Sequence, residues 1–268
     1  MAARAALIRL GYSDAVATWG VIPAAGHGSR IQPLAFSKEL LPVGSFVDQD
    51  RERPRAVSEY LIERMVLGGA TRLCFVISPG KSDILEYYGG RVSGVDVFYA
   101  VQPEAAGLCD AIFRAAPLVH PDEWVLVGLP DTIWYPAGGL SLLPDDPVSL
   151  LCFPVDEPRL FDAVVCAADG SVEEVQVKTP DARSSWIWGA FKLSGRAFHE
   201  LHELWAEPGR RDEQVGTLIN AYLARGRKVS AVKAGTAYVD VGTVKGYRKA
   251  IDLLGSAPES GPGVPPRA

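Results

Sequence analysis

Apolar stretches of strand length alternate with amphipathic stretches of helix length along most of the chain. Strands are predicted at 19–24, 73–78, 95–101 and 124–129, and helices at 56–67, 81–87 and 107–116. Apolar strands separated by helical patterns are typical of a parallel sheet, because parallel neighbours need a long crossover that is usually a helix. The pattern therefore predicts an α/β fold with a mostly parallel sheet covered by helices.

The period of the pattern changes to two between residues 148 and 193. Turn signals at 156–158, 169–170 and 179–181 divide this region into short segments. Alternating segments joined by tight turns favour antiparallel strands, so we expect a small antiparallel lobe on a mixed sheet. Helical patterns follow at 195–205, 212–225 and 244–254, with two strands at 228–233 and 237–241.

The two ends of the chain differ from the region between them, which we predict to be one domain over 19–255. Its first half covers about 19–131 and its second half about 148–243. Residues 1–18 are rich in alanine with a single acid, as in a weak transit peptide, but we favour a flexible extension. Residues 256–268 contain four prolines and two glycines and are predicted to be a disordered tail.

The charge of the chain limits what it can be expected to bind. Its 268 residues include 27 Lys and Arg and 32 Asp and Glu, a net charge of −5. An acidic chain gives no electrostatic reason to expect nucleic acid or an anionic membrane as a partner. No apolar run reaches the roughly 18 residues of a membrane span, and four widely spaced cysteines without a CxxC motif favour a cytoplasmic protein. A phosphorylated partner must therefore be held by a local site.

A glycine-rich loop follows the first predicted strand. Gly26 and Gly28 let backbone N–H groups approach phosphate oxygens, because no side chain intervenes and glycine tolerates positive φ. Arg30 and Lys38 add cationic donors. The loop lacks the Gly-Lys-Ser/Thr of a P-loop and the GxGxxG of a dinucleotide-binding turn. These residues alone leave open a triphosphate-binding loop or an ordinary tight turn between strand and helix.

Two polar positions near the third predicted strand are candidates for reading a nucleotide base. Gln102 ends that strand, and Gly107 opens the next helix. A side-chain amide offers a donor and an acceptor, which suits the edge of uracil or thymine, and a glycine backbone can approach the same edge. Taken alone, the two residues are equally compatible with a strand end and a helix start.

Two acids follow predicted strands that are far apart in the sequence. Asp131 comes after the strand at 124–129, and Asp240 lies near the end of the strand at 237–241. Ligands of open α/β sheets bind at the carboxyl ends of the strands. Two carboxylates brought together there can hold one Mg²⁺, which takes further oxygens from phosphates and water. Singly, each acid is also compatible with a turn or a helix cap.

These segments together resemble the sugar-1-phosphate nucleotidyltransferases, the pyrophosphorylases that make nucleotide sugars. The family's loop, Gly-x-Gly-Ser/Thr-Arg with a later Lys ahead of Leu-x-Pro-Val, is similar to residues 26–43. Its Gln-Pro-x-x-x-Gly-Leu segment is similar to residues 102–108, and its Trp-x-Asp-x-Gly-Thr motif to residues 238–243, with Tyr238 in place of Trp. The resemblance implies a Rossmann-like three-layer α/β/α fold.

The resemblance also implies a role for each matching residue. Nucleotide binding is implied for Ala25, Gly26, Gly28, Ser29, Arg30, Gln102 and Gly107. Catalysis is implied for Arg30, Lys38, Asp131 and Lys178, with Asp131 and Asp240 as the ligands of Mg²⁺.

The second half is similar to the family's sugar-binding segments but departs from them at two positions. Lys178 matches the lysine that binds the sugar phosphate, and Gly189 matches a glycine beneath the sugar. The acid before that lysine is Val177 here, which weakens an assignment to glucose. Asp162 replaces a glycine, where it could bind sugar hydroxyls or an amino group, or point to solvent.

The activity implied by the resemblance is Mg²⁺-dependent transfer of a nucleoside monophosphate from dTTP or UTP to a hexose 1-phosphate, with release of pyrophosphate. The family also implies a homo-oligomer. One alternative is a cytidylyl or molybdopterin-type nucleotidyltransferase, which is not expected to carry the late Asp-x-Gly-Thr element. The other is a nucleotide-sugar-binding regulatory protein without turnover, against which the intact acidic and cationic residues argue.

Overall fold

The computed structural model describes residues 16–48, 51–210 and 212–256. The predicted N-terminal extension and C-terminal tail therefore lie almost wholly outside the described residues, and Thr18 already begins the first strand. Within the described part of the chain, no helix combines the length and the apolar character that crossing a membrane requires.

The described residues form six α-helices and fourteen strands in an alternating order. The helices are α1 Val57–Leu67, α2 Ser82–Tyr88, α3 Gly107–Phe113, α4 Gly195–Ala206, α5 Val215–Ala224 and α6 Val244–Ser256. The strands are β1 Thr18–Pro23, β2 Pro42–Asp48, β3 Arg51–Ala56, β4 Arg72–Ile77, β5 Arg91–Val92, β6 Val95–Val101, β7 Trp124–Gly128, β8 Thr132–Tyr135, β9 Val148–Pro154, β10 Asp162–Cys166, β11 Val172–Val177, β12 Trp186–Ser194, β13 Ser230–Val232 and β14 Ala237–Asp240.

Ten of the described strands form one large sheet. Its main path runs β11-β10-β12-β7-β1-β4-β6-β5, and β9 and β13 join at the second edge of β12. The central strands β7, β1, β4 and β6 are parallel to one another. The predicted α/β fold with a mostly parallel centre is therefore confirmed.

Strand β12 joins the two halves of the sheet. Along one edge it pairs with β9 over nearly its whole length. On the other edge its last five residues, Ala190–Ser194, pair with β7, whereas Ile187 pairs with Ala163 of β10. The register shifts between Trp188 and Ala190, at Gly189. The antiparallel strands of the second half are thus hydrogen-bonded into the main sheet.

Helices cover both faces of the large sheet, because consecutive apolar residues of its strands point to opposite sides. Val21 of β1 lies in a core with α3, α4 and α5, and the next residue, Ile22, lies in a second core with α1 and α2. This is the expected three-layer α/β/α arrangement. A third, smaller core lies under α6 and includes Val43, Val241 and Ala250.

Two small antiparallel sheets were not predicted from the sequence. One is the β2–β3 hairpin. The other pairs β8 with β14 and places Thr132 opposite Asp240. The buried Arg64 of α1 holds β8 in place, because its Nε and Nη2 donate to the carbonyl of Trp134 at 2.8 and 2.6 Å. The β8–β14 sheet brings the two candidate acids together.

Candidate active site

The glycine-rich loop leaves the sheet at the carboxyl end of β1. Ala24 N still donates to Val76 O at 2.8 Å, so the chain stays fixed to β4 until the loop begins. Gly28 has a φ of +65°, and a Cβ there would lie 2.7 Å from Cδ of Lys38. A Cβ at Gly26 would meet nothing within 4 Å. The loop therefore requires glycine at 28 and has open space beside Gly26 for a ligand.

Lys38 forms an ion pair with Asp131 at the end of β7. Lys38 Nζ lies 2.5 Å from Asp131 Oδ2, and both side chains are largely buried. Burial alone would lower the pKa of Lys38 and raise that of Asp131. The opposite charge outweighs burial in each case, so the pKa of Lys38 is raised and that of Asp131 is lowered. Both groups are therefore charged at neutral pH.

Asp240 lies beside this pair and has its own cation. Arg30 Nη1 is 3.2 Å from Asp240 Oδ2, and the Arg30 side chain is 61% exposed. The other oxygen of Asp240 accepts from Gly242 N at 2.7 Å. Val241 N donates to the backbone carbonyl of Asp131 at 2.8 Å, which fixes the two acidic segments to each other.

The residues around Gly242 fit a single divalent cation. A Cβ on Gly242 would lie 2.9 Å from Asp240 Oδ1 and 3.0 Å from Asp131 Oδ2. The two carboxylate oxygens are therefore no more than about 6 Å apart, and only a glycine leaves the space between them open. No group of three or more His, Cys, Asp or Glu side chains suited to a metal occurs among the described residues. Further ligands would have to come from substrate or water.

Gln102 and Gly107 lie together on the other side of the loop. Gln102 Nε2 donates to the carbonyl of Gly107 at 3.1 Å and to Asp110 Oδ2 at 2.8 Å. Gly107 has a φ of +90°, and a Cβ there would lie 2.7 Å from Cα of Glu213. Gln102 lines a cavity of about 890 Å³ that it shares with Ala25 and Lys38. One candidate base residue, Gln102, and two candidate phosphate-side residues, Ala25 and Lys38, therefore border one cavity.

The predicted sugar-side residues form a separate group on β10, β11 and β12. Asp162 lies directly across from Val177 in the β10–β11 pairing, and the exposed Lys178 follows with a φ of +44°. Asp162 is only 6% exposed, so it does not point to solvent. Trp188 Nε1 lies 3.3 Å from its Oδ2, and its Oδ1 is buried without a partner. Burial raises the pKa of Asp162.

Gly189 and Tyr238 connect the sugar-side group to the acids. A Cβ on Gly189 would lie 2.5 Å from the Tyr238 ring and 2.7 Å from the Phe153 ring, so glycine makes room for both aromatics. Tyr238 also contacts Phe161 edge-on, with ring centroids 5.9 Å apart. Because Asp240 lies two residues after Tyr238, this aromatic cluster links the two ends of the candidate site.

Three polar residues that support the site were missed in the sequence. Lys81, after β4, binds Glu39, the neighbour of Lys38. Asp83 accepts from the backbone N and Oγ of Ser37 at 2.6 and 2.7 Å. Asp110 binds Gln102. Lys81 and Asp83 could have been predicted from the sequence, because they follow the carboxyl end of a parallel strand, where the ligands of such sheets bind.

The comparisons with known proteins identify the family of the chain. The model of the nucleotidyl transferase family matches residues 19–256. A glucose-1-phosphate thymidylyltransferase of Mycolicibacterium smegmatis is 26% identical over 244 residues, which cover 88% of this chain and 81% of the relative. A UTP–glucose-1-phosphate uridylyltransferase of Haloferax volcanii is 26% identical over 230 residues, covering 83% and 90%. The structure of a UTP-bound UGPase from Acinetobacter baumannii superposes with a TM-score of 0.74 at 22% identity, covering 91% and 95%.

Proposed function

Since this chain belongs to the nucleotidyl transferase family, we propose that it transfers a nucleoside monophosphate from dTTP or UTP to a hexose 1-phosphate and releases pyrophosphate. The observation that carries the proposal is the charged cluster at the carboxyl ends of β1, β7 and β14. There Lys38, Asp131, Arg30 and Asp240 surround the space beside Gly242. Relatives named for dTTP and for UTP are equally similar to the chain, so both nucleotides belong in the proposal.

The reaction needs positioning and charge neutralisation rather than a general base. An oxygen of the sugar 1-phosphate forms a bond to the α-phosphorus while the bond from that phosphorus to the bridging oxygen of the β-phosphate breaks. The attacking oxygen is already an anion, so no proton has to be removed. Pyrophosphate leaves with the electron pair of the broken bond. The chain contributes by holding the two phosphates in line and by offsetting their negative charge.

Each residue of the cluster has a part in this proposal. The loop around Gly26 and Gly28 offers backbone N–H groups to the triphosphate, and Arg30 and Lys38 offer cations. Asp131 and Asp240 would hold Mg²⁺, which when bound neutralises phosphate charge. Lys38 and Arg30 already contact these carboxylates. Both cations are therefore next to the place where the phosphates would lie.

The sugar 1-phosphate would bind at the other end of the site. We assign its phosphate to Lys178, which is exposed and within electrostatic reach of Asp162. Asp162 and Gly189 would line the sugar itself. The aromatic contact between Phe161 and Tyr238 supports this assignment, because it joins the segment of Asp162 to the strand of Asp240.

Pyrophosphate release from purified protein tests the proposal. Wild type is assayed with Mg²⁺, each of dTTP, UTP, CTP, ATP and GTP, and a panel of hexose and hexosamine 1-phosphates. We expect turnover with dTTP, UTP or both. Lys38→Ala and Asp131→Asn should each lower kcat by about 100-fold or more, because the first removes a cation that offsets phosphate charge and the second removes a carboxylate that would hold Mg²⁺.

Exposed residues of the same type provide matched controls. Lys228→Ala and Asp146→Asn remove equal charges from surface positions and should leave kcat within about twofold of wild type. Unchanged kcat in both site variants would disprove the assignment of the site. Nucleotide binding without pyrophosphate from any substrate pair would instead support the regulatory alternative.

A further inference from the structure

The side-chain amide of Gln102 is held in one orientation. Its backbone N donates to Ile77 O at 2.9 Å, which fixes the residue at the end of β6, and the residue is only 3% exposed. Its Nε2 donates to two acceptors, the carbonyl of Gly107 and Oδ2 of Asp110. An amide nitrogen has two hydrogens. Both donors of Gln102 are therefore used within the protein.

Asp110, together with the carbonyl of Gly107, determines which way this amide points. It is 6% exposed, and Arg114, four residues on in the chain, holds its two oxygens at 3.2 and 2.9 Å. An ionised carboxylate can only accept hydrogen bonds, so it must face the NH₂ of Gln102 and not the carbonyl oxygen. The orientation of the amide thus follows from the chemistry of its partner.

The carbonyl oxygen of Gln102 is left for a ligand. No donor among the described residues contacts this oxygen, and Gln102 lines the 890 Å³ cavity together with Ala25 and Lys38. This oxygen is not among the buried polar atoms of the described residues that lack a partner, so it is open to the cavity, and a ligand that supplies an N–H there would satisfy it.

We propose that Asp110, held by Arg114, is a specificity-determining positioning residue that makes Gln102 present an acceptor to the nucleotide base. This inference rests on the proposed function. The base must then offer a ring N–H where it meets Gln102, as N3 of uracil and thymine does. Cytosine has no hydrogen on N3, so two acceptors would face each other. The methyl group that separates thymine from uracil lies on another edge of the ring and is not read by this contact.

Nucleotide analogues test this inference by binding, without turnover. The affinities of wild type for UTP, 3-methyl-UTP and CTP are measured by titration calorimetry, and for dTTP and its 3-methyl analogue in parallel. We expect loss of the N3 hydrogen to weaken binding by about 10- to 100-fold. In Asp110→Asn the amide at 110 can donate as well as accept, so only the carbonyl of Gly107 still requires the NH₂ of Gln102, and the ratio of UTP to CTP affinity should fall by at least about threefold.

A second variant and a control separate positioning from folding. Gln102→Met has a similar volume without the amide and should abolish the penalty for 3-methylation. Asp146→Asn changes an exposed acid outside the cavity and should keep the wild-type ratio. If Asp110→Asn weakens UTP and CTP equally and so preserves the ratio, Asp110 has only a structural role and the inference is overturned.

The outcomes also separate this inference from the proposed function. Dependence on the N3 hydrogen without pyrophosphate release would support the inference and contradict the activity. Pyrophosphate release, together with a ratio of UTP to CTP affinity that Asp110→Asn does not change, would support the activity and contradict the inference. No binding of any nucleotide would overturn both.

Discussion

At the scale of single residues, the buried acids of the site differ in how their charge is neutralised. Asp131 has Lys38 at 2.5 Å, and Asp240 has Arg30 at 3.2 Å. Asp162 has no salt-bridge partner among the described residues; it accepts from Trp188 Nε1 at 3.3 Å and from the backbone N of Gly216. Its pKa is raised because burial disfavours the charged carboxylate. Asp162 is therefore the acid whose ionisation opposes folding.

The free energy of unfolding should therefore depend on pH through the ionisation of Asp162. With its pKa raised in the folded state, Asp162 binds a proton more tightly there than in the unfolded chain, where it titrates near about 3.9. Its contribution to the free energy of unfolding therefore falls as the pH rises above that value. In Asp162→Asn this contribution is absent. Urea unfolding at pH 4.5 and pH 7.5 should show that stability declines more with pH in wild type than in the variant; equal slopes would contradict the prediction.

Single residues also show how much of the candidate site could be predicted from the sequence. The glycine at 28 was predicted from its tolerance of positive φ, and the structure gives it a φ of +65°. The sequence indicated that the amide of Gln102 could offer a ligand both a donor and an acceptor, and in the structure Gly107 and Asp110 accept both hydrogens of its NH₂ group. A motif identifies the amide, but only the buried neighbours of that amide fix which of its atoms reaches a ligand.

At the scale of elements, the short 3-10 helix Lys38–Leu40 is held from both sides of Lys38. Asp83 of α2 binds the preceding residue, Ser37. Lys81 Nζ binds both oxygens of Glu39 at 2.8 Å and the carbonyl of Ala24, at the start of the glycine loop, at 2.7 Å. The segment between β4 and α2 therefore sets the position of Lys38 relative to the loop.

Removing the cation of this buried pair should destabilise the protein strongly. Burial raises the pKa of Glu39 and lowers that of Lys81, so each charge depends on the other. We expect Lys81→Met to reduce the free energy of unfolding by about 3–5 kcal/mol, because it leaves Glu39 buried without a cation. Adding Glu39→Gln to that variant should restore part of the loss.

Urea unfolding of the four proteins of this double-mutant cycle measures the coupling between Lys81 and Glu39. The control, Lys228→Met at an exposed position, should change the free energy of unfolding by no more than about 0.5 kcal/mol. If Lys81→Met cost no more than the control, or if the two substitutions were additive, the pair would not stabilise the segment that positions Lys38.

The sequence pattern predicted the long apolar elements better than the short ones. The helix predicted at 56–67 is α1 Val57–Leu67, and the strand predicted at 95–101 has the same bounds in the structure. Strand β3, Arg51–Ala56, was missed because its sequence RERPRA has no apolar alternation, and it forms by pairing with β2. Strand β8 was missed because it is short and begins directly after Asp131, where a loop was expected.

At the scale of the whole molecule, the two predicted halves share one sheet. The pairing of β12 with β7 crosses the boundary between them, and β12 also carries β9 and β10. Apolar residues of both halves lie in the same core, such as Val21 from the first half and Phe198 from the second. Separating the halves would expose this core and break the centre of the sheet.

We therefore expect the halves to unfold together. Tryptophans occur in both, at positions 19 and 124 in the first half and 186, 188 and 205 in the second, and Trp134 lies between the halves. Urea unfolding followed by tryptophan fluorescence and by far-UV circular dichroism should give one transition with coincident midpoints. Two resolved transitions would show that the halves are independent folding units.

Strand β12 pairs with different strands at its two ends, and the point of change lies against the candidate site. Along one edge, β12 pairs with β10 before Gly189 and with β7 after it. Its register against β9 also shifts at Gly189. The ring of Tyr238 lies against Gly189, and Asp240 follows two residues later on the same short strand. A side chain larger than glycine at 189 would push the ring of Tyr238 away from β12, so a substitution beneath the proposed sugar position would also shift Asp240 at the opposite end of the site.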